Sequence, residues 1–138
     1  MTAPYELNHF LDAQEDSYDT ALLELQQGEK QSHWMWYIFP QLRGLGFSPM
    51  AHRYGLADLD HALAYWNNEV LGTRLRNCVD VVNALEGRTA LQIFAMPDTL
   101  KFRSCVTLFD RATRDPIFTH ALAKYYEGEA DPETLRLL

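Results

Sequence analysis

Lys101 is the side chain whose chemistry most needs an account. It lies in a stretch, residues 98–113, where Phe102, Cys105, Leu108, Phe109 and Ala112 fall on one arc at about 100° per residue. Lys101 and Asp98 fall inside that apolar arc, and Ser104 sits on its border. Arg103, Thr107, Asp110, Arg111 and Arg114 take the opposite, solvent-like face. An ammonium turned toward a core must snorkel, find an anion or shift its pKa. Asp98, three residues back, offers an internal partner. A bound phosphate or carboxylate would serve equally, which makes Lys101 a candidate ligand contact.

The second candidate group is the run Lys30-Gln-Ser-His-Trp-Met-Trp-Tyr-Ile-Phe-Pro-Gln-Leu42. Trp34, Trp36, Tyr37 and Phe39 fall within six residues, with His33 in front and Gln41 behind. Such rings bury large areas, while the indole N–H and the phenol need polar partners. The cluster is therefore either the centre of a core or the wall of a pocket. As a wall, Trp34 and Trp36 stack on a planar group, His33 contacts the ligand or moves a proton, and Gln41 reads an amide or base edge. The site expected on this reading has His33, Trp34, Trp36 and Gln41 on one side. Asp98, Lys101 and Ser104 face them, and the ligand is a small anion resembling a nucleotide or ADP-ribose. It requires the two segments to meet in space.

Other chemistries have weaker support. Arg43-Gly-Leu-Gly46 before Ser48 offers backbone N–H groups near a helix start, where anions bind. It matches neither phosphate-loop pattern. There is no GxSxG, SxxK or HExxH, and Lys101-Phe-Arg-Ser104 reverses the serine–lysine order. His9, His52, His61 and His120 form no paired ligand spacing, so no metal and no cofactor are expected. Cys78 and Cys105 both lie in apolar stripes and read as small buried hydrophobes, which suits a reducing cytoplasm.

The chain that must position these groups has 138 residues, the size of one domain, taken as spanning 1–138. With 47% hydrophobic residues it can bury a core without staples. No apolar run approaches the roughly 20 residues of a membrane span, and the first residues lack the basic and apolar regions of a signal peptide. The net charge of −7 is uneven. Residues 1–29 carry seven acidic side chains and no Lys or Arg, whereas residues 30–114 carry ten Lys/Arg against seven Asp/Glu. No basic stripe suits a nucleic-acid backbone, so nucleic acid is not expected as a partner. A small anion in the middle of the chain is compatible with this balance.

Helix signals recur along the whole length. Asp16 or Ser17 can cap a helix ending at Gly28, Ser48 one ending near Tyr54, and Thr89-Ala-Leu-Gln92 is a capping box. Leu71, Leu75, Cys78, Val79, Val82 and Leu85 form the cleanest apolar stripe. Asp115-Pro116 and Asp131-Pro132 each read as an N-cap with proline at the first helical position. No segment alternates like a strand. The expectation is an all-α, single multihelical domain of about seven to nine helices, several of them short.

The runs Ser32-His-Trp-Met-Trp-Tyr-Ile-Phe-Pro-Gln41, Gly44-Leu-Gly46 with Ser48, Tyr54-Gly55, Leu71-Gly72, Lys101-Phe-Arg-Ser104 and Thr107-Leu-Phe109 carry a further indication. In them the sequence resembles the bacterial family called domain of unknown function 1810, from about Phe10 to Leu138. Some members are labelled calpastatin-like. The resemblance implies a small multihelical cytoplasmic protein and brings no catalytic residues. Beside the ligand-pocket reading stands an alternative, a non-catalytic helical module that binds a protein partner or self-associates.

Overall fold

The computed structural model describes residues 5–138. Ten helices follow one another in it: α1 (Asn8–Glu15), α2 (Tyr18–Gln26), α3 (Met35–Ile38), α4 (Pro49–Arg53), α5 (Leu59–Asn67), α6 (Glu69–Ala84), α7 (Ala90–Phe94), α8 (Asp98–Thr113), α9 (Pro116–Tyr126) and α10 (Pro132–Leu137). The all-helical class agrees with the sequence, but ten helices replace the expected seven to nine. The excess comes from short elements. Only Asp16 and Ser17 separate α1 from α2, and the aromatic run yields the single turn α3 before Pro40. Elements of one turn show no periodicity to count.

Local chemistry explains most boundaries. The side chains of Ser48, Asp58, Asn68, Thr89, Asp115 and Asp131 each accept a backbone N–H at the start of the helix that follows. Thr89 and Gln92 complete the capping box reciprocally. Ser17 differs: its side chain makes no cap and instead meets the Tyr37 hydroxyl at 3.2 Å.

Helix α8 is the axle of the fold. Helices α5, α7, α9 and α10 all pack against it. Phe102, Cys105, Val106, Leu108 and Phe109 are sealed from solvent as a result. So is Thr107, which the helical wheel assigns to the solvent side; its hydroxyl accepts the Asp131 N–H at 2.9 Å because α10 covers that face. Where α5 meets α6 the backbones almost touch. A Cβ on Gly72 would lie 1.9 Å from the Trp66 carbonyl oxygen, so no other residue fits that corner.

The aromatic segment is fastened by Glu24 of α2. Its carboxylate accepts the backbone N–H groups of Gln31 and Ser32 at 2.8 and 2.9 Å. It also accepts the Ser32 hydroxyl at 2.6 Å and the Trp34 indole N–H at 2.9 Å. Burial alone would raise its pKa, but the donors from Ser32, Gln31 and Trp34 outweigh that and hold it at about 2. Beyond it, Gln14 of α1 donates to the Tyr37 carbonyl at 2.7 Å and to the Tyr65 hydroxyl at 2.9 Å, tying α1, α3 and α5 together. The remaining backbone link is a one-residue parallel bridge between Leu42 and Leu56.

The sign of the Glu24 effect is testable. A folded pKa near 2 against 4.5 in the open chain means that this stabilisation is complete above pH 4.5 and is lost as pH falls toward 2. Acid titration of unfolding should show it as a loss of about 2–3 kcal/mol. Glu24→Gln should lower the melting temperature at neutral pH and flatten the acid limb. An unchanged acid limb in the variant would show that Glu24 is not the titrating anchor.

Candidate functional site

The two segments singled out in the sequence do meet. Lys101 Nζ lies 4.6 Å from the Trp36 ring centroid and 3.6 Å from Asp98 Oδ1. The helix-internal pair is therefore present, but Asp98 has a nearer partner. Lys30 Nζ stands 2.8 Å from Asp98 Oδ2 and 5.2 Å from the Trp34 ring. The Lys30 side chain is only 8% exposed, against 24% for Lys101. Lysine 101 snorkels along Trp36 to the edge of the core, as its amphipathic stem permits.

Little room is left among these groups. The gap bounded by Met35, Trp36, Phe39, Gln41, Tyr54 and Lys101 has a volume of about 10 Å³, the space of one water. Trp34 is 1% exposed, and its one N–H is taken by Glu24. It sits in the core rather than on a wall. Ser104 lies on another side of α8, where its hydroxyl donates to the Leu100 carbonyl and to Asp131 Oδ2 at 2.8 Å. His33 is exposed and borders a separate depression of about 130 Å³ with Asp16, Ser17, Thr20 and Tyr37. Of the seven expected residues, Trp36, Gln41, Asp98 and Lys101 are thus gathered, whereas His33, Trp34 and Ser104 face elsewhere.

A roomier cleft, of about 440 Å³, opens on a different side. Glu6, Asn8, His9, Arg43, Arg53 and His61 line it. That is a volume typical of small-molecule sites. Three elements build it. Helix α1 brings Asn8 and His9, α5 brings His61, and the segment around α4 brings both arginines.

Each lining group has a defined environment. Arg43 follows the Leu42–Leu56 bridge, and its guanidinium is aimed by two carbonyls. Nε donates to His52 O and Nη2 to Gly55 O, both at 3.1 Å. Neither carbonyl neutralises its charge. The Arg53 guanidinium lies 5.5 Å from the Tyr54 ring centroid. Among the described residues neither arginine forms an ion pair. His61 is 5% exposed and spends both nitrogens on the fold. Nδ1 accepts the Ala57 N–H at 3.0 Å, so the network assigns the proton to Nε2, which donates to Glu6 O at 3.0 Å. His9 packs between Phe10 and Tyr54, and its buried Nε2 has no partner among the described residues. Desolvation lowers the His9 pKa, and the charges of Arg53 and Arg43 lower it further against an opposing pull from Glu6.

The arrangement holds two guanidiniums that form no ion pair among the described residues beside an imidazole whose pKa is lowered. Guanidiniums grip phosphate or carboxylate oxygens in pairs. An imidazole beside a bound anion can then take up a proton. Sequence spacing points to none of this, because the residues come from three distant segments. One signal was available: Arg43 and Arg53 are the only Lys or Arg between Lys30 and Arg74.

Comparison with known proteins gives the lineage. Residues 4–138 match the family described as protein of unknown function (DUF1810). The chain belongs to that family. A solved DUF1810-like fold is the crystal structure of the conserved hypothetical protein Rv1873 from Mycobacterium tuberculosis, 47% identical, with a TM-score of 0.97 over 99% of this chain and 98% of that one. No curated protein matches the chain. For this DUF1810 protein, no helix among the described residues is long and apolar enough to cross a membrane. No group of three or more His, Cys, Asp or Glu among them could hold a metal ion.

Two outcomes follow. Because the folded His9 pKa lies below 6.5, the unfolded chain binds more protons there, and stability should fall as pH drops below 6.5. His9→Phe, which keeps the ring packing, should reduce that fall in chemical unfolding at pH 5.5. An identical pH profile in the variant would rule out His9 as its source. Separately, Lys30→Met should cost about 2 kcal/mol by removing the nearer and more buried partner of the half-buried Asp98 carboxylate, whereas Lys101→Met should cost under about 1 kcal/mol. The reverse order would make Lys101 the true partner of Asp98.

Proposed function

We propose that this protein binds a small anion, a phosphate or carboxylate, in the cleft between α1, α4 and α5, and that Arg43 and Arg53 are its main ligands. The observation that carries the reading is the pair of guanidiniums, without ion-pair partners among the described residues, on the wall of a cleft of about 440 Å³. Six of the twelve Lys/Arg side chains pair with carboxylates; of those that form no ion pair among the described residues, Arg43 and Arg53 line one cleft together. The anion class is the one expected from the sequence. We place it away from the Trp36–Lys101 contact, where the gap holds about one water.

Asn8 and the neutral His9 supply the uncharged polar groups of the wall. His61 acts by holding the wall in place through Glu6 and Ala57. Glu6 sets an upper limit on the negative charge that the cleft accepts.

Thermal unfolding against inorganic phosphate, sulfate, citrate and sugar phosphates tests this. An anion present at 100 times its dissociation constant should stabilise the fold by about 2.7 kcal/mol. Arg53→Ala should abolish the shift and Arg43→Ala should weaken it, while Lys101→Ala leaves it intact. A shift lost only in Lys101→Ala would move the site back to the aromatic segment. No shift with any anion would end the reading.

A further inference from the structure

The exposed ring of Phe47 narrows the chemistry of that anion. Phe47 is 97% exposed, while the next large hydrophobic side chain, Met96, is 60% exposed. A phenyl ring left wholly in water contributes nothing to the stability of the fold. It sits at the end of the loop Gly44–Phe47, which joins the two cleft arginines through α4.

The loop is held rather than loose. Its entry is pinned by Arg43, whose guanidinium bonds to His52 O and Gly55 O at the far end of α4. Its exit is pinned by the Ser48 cap, which accepts the Ala51 N–H at 3.1 Å. Gly44 has φ of 106°, a conformation suited to glycine, and a Cβ at Gly46 would press on Ala51 Cβ at 2.9 Å. The stem therefore fixes the backbone from which the Phe47 ring projects into solvent. From Arg53 back along α4 to Phe47 is roughly 11 Å, from five residues of helical rise and one extended residue. Pro49, His52 and Arg53 form the exposed face between them, at helical spacing.

We infer that the anion is of the nucleotide class, its phosphate held by Arg43 and Arg53 and its aromatic base stacked on Phe47. This rests on the anion reading above and adds the ring to it. Stacking on a single aromatic side chain tolerates any base, so the preference should be for a ring rather than for one nucleobase.

Calorimetric titration of the full chain with adenosine 5′-monophosphate, ribose 5-phosphate and inorganic phosphate tests it. The wild type should bind the monophosphate about tenfold tighter than ribose 5-phosphate, the effect of one stacked base. Phe47→Ala should remove that tenfold and leave ribose 5-phosphate binding unchanged, and Phe47→Trp should restore it. Arg53→Ala should weaken all three probes. Equal affinity for the two ribose phosphates, or a preference that survives in Phe47→Ala, would overturn the ring contact and leave the anion site standing. Failure of all three probes to bind the wild type would overturn both.

Discussion

The buried carboxylate of Glu24 is the constraint on which the rest of the structure hangs. It collects four donors, three from the consecutive residues Gln31 and Ser32 and one from the Trp34 indole, and nothing else among the described residues fixes so much irregular backbone at one point. The segment it captures continues directly into α3, whose flanking residues Trp34 and Phe39 reach the core, Phe39 against Phe94 and Phe102. Past Phe39 the chain turns at Pro40 and enters the Leu42–Leu56 bridge, which sets where Arg43 emerges. A charge placed correctly inside thus determines the placement of a charge outside. Buried charges are costly unless their hydrogen-bonding capacity is filled, and here it is filled by the segment that needs to be held.

The lysines show how the same chemistry can serve opposite ends. Lys30 and Lys101 share one carboxylate, and each rests against a tryptophan. Their charges are absorbed by the protein. Arg43 and Arg53 rest on carbonyl oxygens and a tyrosine ring, which orient a guanidinium without cancelling it. The difference between a stabilising cation and a receptive one lies in the partner rather than in the cation.

Much of the fold is legible in the sequence, because capping side chains and apolar stripes act over three or four residues. Thr89, Asp115 and Asp131 announce their helices, and the Leu71–Val82 stripe marks the face that α6 buries. Thr107 could not be placed that way: α10 comes from 24 residues further on to cover it. The same limit hid the cleft. His9 and His61 are 52 positions apart, and their shared wall is made by packing of α1 and α5 around Phe10 and Tyr65. The aromatic run was legible as a dense cluster, but its choice between core and wall was decided by Glu24, which lies outside the run. Lys30 was overlooked as the partner of Asp98 because the pair spans 68 positions and has no helical register.

The two carbonyl bonds on Arg43 carry one more consequence. An arginine free in solvent gives up rotamer freedom whenever it closes on a guest, and that loss weakens the complex. Here the freedom is surrendered once, when the chain folds, and the side chain waits in a single pose with Nη1 unengaged by any described residue. Arg53 has no such tether and can adjust to what arrives. On the proposed anion reading, one rigid and one pliant guanidinium would let the same cleft combine a quick grip with a tolerance for guests of differing shape.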